Sequence, residues 1–448
     1  MTLLAALPAA GQFRLNGSGR WRSAFAVTEL ATASIAAVGL ELARLIETLH
    51  LAPSAPDVVI DQRLAALWFG YSFRPDGWKL PSLWDPVAGN YETADGWIRL
   101  HTNLPHHRTA ALRVLGCQAE RDAVSEAISH WQSEALESAV VSAGGVAAAM
   151  RSRAEWQEHP QGRAVAAEPL IDWNLPRSIS LGNRPQATAE RPLAGLRVLD
   201  LTRVLAGPVA TRTLAGFGAD VLRIDPPGWD EPGVIANISL GKRMAALDLT
   251  KGEDRLVFES LLAQTDVLVH GYRPGALDRL GYDSATRRKL APNAVEAALD
   301  AYGWTGPWAD RRGFDSLVQM SAGIADAGRD WAGSRDPHPL PVQALDHATG
   351  YLMAAAVLSA LAAAARGETA PSARLSLART AELLAGIQQT AEGMELTMPA
   401  EQDYVQRTEN TGWGPGHRLA APLNLSTTRM HWDLPATRCC SAPACWPG

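Results

Sequence analysis

The order of elements predicts an α/β protein built on a doubly wound parallel sheet, with a smaller α+β domain ahead of it. Three observations carry that prediction. Short apolar runs at 196–201, 220–224, 244–249 and 267–269 have the length and composition of strands covered on both faces. Helical stretches separate them, one opening at Ala206-Gly207-Pro208 and running to Phe217, another over 254–264. Strands alternating with helices imply parallel crossover units. Upstream, 91–100 places Asp95-Gly96 between two alternating segments, a hairpin signal. Helical patterns follow at 108–115, 121–139 and 151–159.

A chain of 448 residues exceeds one ordinary core, so two or three domains are expected. Composition divides it into 1–75, a small α+β domain at 76–176, a Pro/Arg/Ser-rich linker at 177–191, the doubly wound domain at 192–380, and a closing segment with tail at 381–448. Hydrophobic content of 47% with 20% charged residues describes a folded chain. A net charge of −6 and pI near 6.0 supply no electrostatic attraction for nucleic acid or an anionic membrane. The apolar run 351–365 reads as too short and alanine-rich to span a bilayer. Met1-Thr2-Leu3-Leu4 lacks the basic stretch of a signal peptide, and a cytoplasmic location is expected. Cys439, Cys440 and Cys445 form neither a disulfide framework nor a paired zinc spacing, so no metal site is expected. Pro208 suits a first helical turn, and the single glycine of that loop does not make a dinucleotide cradle.

Two stretches repeat one pattern. A helix opens at Val27-Thr28-Glu29-Leu30-Ala31-Thr32 and runs to about 49, followed by prolines and the strand 58–60. A second opens at Ala344-Leu345-Asp346-His347-Ala348-Thr349-Gly350 and runs to about 366, followed by Pro371 and the strand 373–377. The shared Ala-Thr sets Glu29 opposite Asp346, and an internal duplication is the economical reading. Asp346 then heads a long alanine-rich helix. An aspartate there reads as an N-cap, or as a carboxylate kept ionised by the helix dipole and able to act as a nucleophile.

The blocks around it decide between those two. Gly195-Leu196-Arg197-Val198-Leu199-Asp200-Leu201-Thr202-Arg203-Val204-Leu205-Ala206-Gly207-Pro208 is followed by Gly218-Ala219-Asp220-Val221-Leu222-Arg223-Ile224-Asp225-Pro226. Then come Tyr272-Arg273-Pro274-Gly275, Tyr302-Gly303-Trp304-Thr305-Gly306-Pro307, Arg312-Gly313-Phe314-Asp315 and the Asp346 helix. In this order they resemble the family III CoA-transferases, the CaiB/BaiF group. The 91–100 hairpin and Arg153-Ala154-Glu155-Trp156-Gln157-Glu158-His159-Pro160 are similar to that family's second domain. The order differs from a typical member: a nucleophile-like helix and small domain here precede the Rossmann-like domain.

The resemblance implies a Rossmann-like domain with a smaller α+β domain in an interlocked architecture, and a homodimer. It implies transfer of CoA from an acyl-CoA to a small carboxylic acid, with no other cofactor bound at rest. Asp346 would form an anhydride and then an aspartyl-CoA thioester, the amides of its helix start helping to hold the oxyanion. Val204 and Leu205 fall where the CoA site opens, and Leu205 replaces a glutamine of some members. Tyr272 and Arg279, with Leu280 beside them, fall at the nucleotide end. Lys242 and Arg243 read either as phosphate-side charge or as a solvated turn before a strand. Glu29 reads as a relic without a pocket of its own. Two rivals remain: an acyl-CoA racemase, whose histidine is replaced here by Phe314 while His347 points elsewhere, and a non-catalytic CoA-binding paralogue.

Overall fold

The computed structural model describes residues 11–182, 184–388 and 394–447. The first ten residues, which bear on the signal-peptide reading, lie outside that description. A seven-stranded sheet organises the chain: β1 (Asp172–Arg177), β2 (Arg197–Leu201), β3 (Asp220–Asp225), β4 (Lys242–Ala246), β5 (Val267–His270), β6 (Val295–Asp300) and β7 (Ala370–Ser376). Their order is β4-β3-β2-β5-β6-β7-β1. Ladders are parallel except where β1 runs antiparallel to β7. Every residue of β5 is buried, as expected of a strand sandwiched by helices. The chain winds outward from β2 through β3 to β4, then returns to β5 and winds the other way. That reversal opens a crevice beyond the C-terminal ends of β2 and β5, the usual ligand position in such sheets.

Two expected boundaries move. The small domain was expected to end at 176, but β1 spans that point and closes the large sheet. Pro176 sits there without penalty because β1 is an edge strand, where a missing N–H breaks no ladder. The boundary at 380 falls inside the helix Leu377–Ala385, whose first turn is capped by the Ser376 hydroxyl. Strand β6 (Val-Glu-Ala-Ala-Leu-Asp) escaped the sequence reading because alanines and a glutamate disguise it. The ladder of β4 begins at Lys242, two residues ahead of the apolar run.

Four helices position the site: α1 (Val27–Thr48), α2 (Ala206–Gly216), α3 (Asp315–Ser321) and α4 (Ala344–Ala365). The sequence of α4 is almost wholly Ala and Leu, strong helix formers, and it is apolar on every side, the pattern of a core helix. By length and composition, at mean hydropathy 1.7, it would also cross a bilayer. Here it is enclosed by α1, α2 and β7. Helices α1 and α4 share a length of 22 residues and the same entry. In each, the first amide donates back two residues at 2.8 Å, Val27 to Phe25 and Ala344 to Val342. Each is also followed by a strand and a capped helix, Asp61 capping Gln62–Trp68 as Ser376 caps its own.

The strand Val58–Asp61 does not join the large sheet. It pairs with Arg14–Asn16 on one side and Leu423–Leu425 on the other. The tail therefore completes the N-terminal unit. Gly414–Arg418 pairs with Phe73–Pro75, and Trp432 stacks on Trp68 at 5.4 Å while its Nε1 donates to the Arg212 carbonyl at 2.8 Å. Gly241 is needed beneath that indole: a Cβ there would sit 2.4 Å from it. Between these parts the small domain folds around its own core of Tyr91, Ile98, Leu100, Val124 and Ile128. Its sheet joins Gly89–Glu92, Trp97–Leu100 and Ala147–Ala149. The helix expected over 121–139 is broken into Arg121–Ser129 and Ser133–Ser142.

Candidate active site

A cavity of about 390 Å³ opens at the sheet reversal. Its floor is the C-terminal ends of β2, β5 and β6, and Asp346 lines its inner end. A second cavity of about 300 Å³ meets it there, bounded by Phe69, Tyr71, Trp84, His101 and His347. Asp346, Val204 and Phe314 line both.

Asp346 is the third residue of α4, not its cap. The cap's work is done from outside by Asp315, the fully buried first residue of α3. Its Oδ2 accepts the Asp346 amide at 2.9 Å, its carboxylate also takes the Leu345 amide, and Gln319 donates to Oδ1 at 2.5 Å. The amides of α4 are therefore occupied, and they do not form the oxyanion cradle the sequence reading placed there. The amide that reaches the Asp346 carboxylate is that of Ala206, the first residue of α2. Gly350, one turn along α4, permits this approach, because a Cβ there would lie 2.3 Å from the Ala206 carbonyl.

The expectation of a permanently ionised Asp346 is also corrected. Burial first, and the Asp315 carboxylate second, push its carboxyl well above the ordinary aspartate range. Burial raises Asp315 to about 6. With three donors, Asp315 is the better-stabilised anion, and Asp346, with one, holds the proton.

Val204 sits at φ +67°, a left-handed conformation that costs a β-branched residue strain. Its amide donates to Glu231 at 2.7 Å, and Glu231 is fixed by Arg223 at 2.7 Å. Leu205 follows, buried, as the residue before α2, and lines the second cavity. Tyr272 lines the first, its hydroxyl accepting from Arg203 at 3.1 Å. The Arg203 guanidinium lies 4.7 Å from Trp229 and 5.2 Å from Tyr272.

The other expected phosphate contacts do not converge. Lys242 is buried with Nζ 3.0 Å from Asp200 Oδ2 and 3.0 Å from the Pro208 carbonyl. Burial lowers its pKa to about 8, with Arg223 adding to the effect. It is neither a solvated turn nor a ligand, because a strand that starts there carries its side chain under α2. Arg243 alternates to the far side and pairs with Asp220 at 3.3 Å. Arg279 is exposed on the turn Ala276–Arg279 and Leu280 packs against a subsidiary core, and neither lines the first cavity. The cations that do line it are Arg203, Arg273, Arg311 and Arg312. Burial and the adjacent Arg312 and Arg279 charges lower the Arg273 pKa, a mark of cations held close together. Arg311 is engaged by Glu137 at 2.9 Å. Three of the four lie inside or beside the quoted sequence blocks, where a count of arginines near those blocks would have found them.

His101 and His107 reach in from the small domain, a contribution no pattern announced. His101 stacks on Phe314 at 3.9 Å, and burial holds both imidazoles neutral, down to about 3. His347 does not point away as expected. It lines the second cavity beside Asp346 and stacks on Phe69 at 5.2 Å. Glu29 pairs with Arg20 at 2.9 Å. Among the described residues no group of His, Cys, Asp or Glu could hold a metal.

A doubly wound sheet with a cation-lined crevice at its reversal, closed by a buried acidic pair, defines a domain suited to a phosphorylated ligand and carboxylate chemistry. The chain belongs to CoA-transferase family III, whose family model matches residues 193–428, more than half of its length. It is similar to an acyl-CoA transferase of Gibberella moniliformis, 27% identical over 378 residues, covering 74% of this chain and 65% of that protein. It is also similar to a probable fatty acyl-CoA transferase of Mycobacterium tuberculosis, 32% identical over 191 residues, covering 40% and 48%. A crystal structure of a CaiB/BaiF family protein from Brucella suis aligns with 50% of this chain and 65% of its own, at 27% identity and TM-score 0.39. The chain thus spans about half to two thirds of the length of the relatives it matches.

Proposed function

We propose that this chain transfers CoA from an acyl-CoA to a carboxylate, with Asp346 as the covalent centre. The observation that carries the reading is the position of that carboxylate, at the junction of a cation-lined cavity and an aromatic one, facing the N-terminus of α2.

In this reading the phosphates of CoA lie along Arg203, Arg273 and Arg312, whose guanidinium forks suit them, and the acyl group enters the second cavity. Asp346 first loses its proton to solvent. Its carboxylate then attacks the thioester carbonyl, the C–S bond breaks, and CoA leaves as thiolate. The thiolate attacks the Asp346 carbonyl of the mixed anhydride, expelling the donor acid as carboxylate and leaving an aspartyl-CoA thioester. The acceptor carboxylate attacks that thioester and displaces the thiolate. Attack of the thiolate on the acceptor's acyl carbon then gives the new acyl-CoA and frees Asp346. No proton is gained or lost across the cycle. Dividing the transfer in this way replaces one difficult step by several easier ones, and the Ala206 amide at a helix N-terminus is suited to the oxyanions formed at Asp346. The aromatic walls keep water from the anhydride.

The test is intact-protein mass spectrometry after incubation with acyl-CoA. A CoA adduct at Asp346, removed by hydroxylamine and absent in Asp346→Ala, is expected. No adduct, with exchange of deuterium into the α-carbon, would instead establish the racemase. That chemistry needs a titrating base beside Asp346, and His101, held neutral down to about 3, is poorly suited to it.

A further inference from the structure

The aromatic cavity ends against an uncompensated positive charge. Arg212, on α2, is 1% exposed and donates from Nη1 to the Asn237 carbonyl at 2.9 Å. Its remaining neighbours are Trp68, at 4.8 Å, and the phenols of Tyr351 and Tyr71. The one other cation nearby, Arg418, is already paired with Glu409 at 2.9 Å. Two guanidiniums and one carboxylate leave a net charge of about +1, and burying an unpaired charge is costly enough that one expects a partner.

The groups between Arg212 and the cavity are donors without acceptors. Asn237, Tyr71 and His347 line the cavity along with Asp346. The Tyr71 hydroxyl is buried and has no hydrogen-bond partner. The Asn237 Oδ1 accepts from Ser72 at 2.6 Å and faces both guanidiniums, which leaves its amino group as the end turned away from them. Imidazole Nδ1 of His347 is likewise buried without a partner.

We infer that the acyl group taken by this site carries a carboxylate at its far end, received by Tyr71 and Asn237 in front of Arg212. This rests on the second cavity being the acyl pocket of the transfer proposed above. Two independent measures set the length. Arg212 is six residues along α2 from Ala206, a rise of about 9 Å. With an advance of ~1.3 Å per C–C bond, from a bond length of ~1.5 Å, that spans about seven bonds, and the inward reach of Tyr71 and Asn237 shortens it. A cavity of about 300 Å³ holds on the order of ten non-hydrogen atoms at ~30 Å³ each. Both point to dicarboxylic acyl groups of about five or six carbons.

The test compares matched pairs of thioesters: glutaryl-CoA against pentanoyl-CoA, and adipyl-CoA against hexanoyl-CoA. The rate of adduct formation at Asp346 per unit substrate concentration is measured for each. A preference of about ten- to a hundredfold for the carboxylate-ended member is expected, the size of a hydrogen bond to a charged group. Tyr71→Phe and Arg212→Gln should each shrink that ratio. Because the ratio is taken within one preparation, partial unfolding of the Arg212 variant does not disguise the result. Equal rates within a pair, a preference for the methyl-ended member, or a preference that persists in both variants would overturn the inference while leaving the transfer reading intact. Absence of any adduct from either series would overturn both.

Discussion

Glu41 offers a sharp physical test of how the two long helices meet. It lies on α1 facing α4, 1% exposed, with Arg44 at 3.7 Å and with Ser359 and Arg366 of α4 nearby. Burial raises its pKa to about 7 from an ordinary 4.5, against the opposing pull of Arg44, Ser359 and Arg366. Below pH 4.5 the carboxyl is protonated in both folded and unfolded chains and adds no pH dependence. Between 4.5 and 7 the unfolded chain releases the proton first, so stability falls as pH rises, and above 7 the whole penalty is present. A displacement of that size corresponds to about 3 kcal/mol at ~1.4 kcal/mol per pH unit. Glu41→Gln removes the titration. The unfolding entropy of a chain this long is roughly 0.9 kcal/mol/K, from ~2.1 cal/mol/K per residue. The variant should therefore melt with wild type near pH 4.5 and about 3 °C above it at pH 8. Thermal unfolding of both proteins across that range is the measurement. An offset that stays constant with pH, or one that shrinks toward pH 8, would refute the burial of an ionisable carboxyl in this seam.

Three further outcomes follow from the site. Removing the neighbouring charge with Asp315→Asn should lower the Asp346 pKa. The reactive species is the anion, so adduct formation rises with pH through the Asp346 pKa, and its acid limb should move to lower pH in the variant. An unmoved limb would show that Asp315 does not act on the nucleophile. Lys242→Met should destabilise the fold by about 3 kcal/mol, because it strands the buried Asp200 carboxylate, while the KM for CoA stays as it was. A weakened KM with unaltered melting would restore the phosphate role. Arg273→Ala and Arg312→Ala should each weaken CoA binding about ten- to a hundredfold, the scale of a charge-assisted hydrogen bond, whereas Arg279→Ala, at an exposed position, should change it by less than about fivefold. Calorimetric titration at two salt concentrations separates these cases.

Much of the architecture was legible in the chain. Four of the seven large-sheet strands, both 22-residue helices and the hairpin could be read from apolar runs, helix formers and one Asp-Gly turn, because these are local signals set by the immediate neighbourhood. The importance of Asp346 was legible through its block, and so was the pairing of its helix with the one at Val27. What sequence could not decide was which groups share a volume. Asp346 has the look of a cap, yet the cap is Asp315, thirty-one residues away, and the proton it holds follows from that neighbour and from burial. Lys242 and Arg243 are adjacent letters with opposite fates, since alternate residues of a strand face opposite sides. His101, Tyr71 and Arg212 meet beside the nucleophile only because the small domain, the N-terminal unit and α2 fold against one another. Helices and strands are written in short-range pattern, but charge, protonation and the shape of a pocket depend on distances that only the packed chain creates.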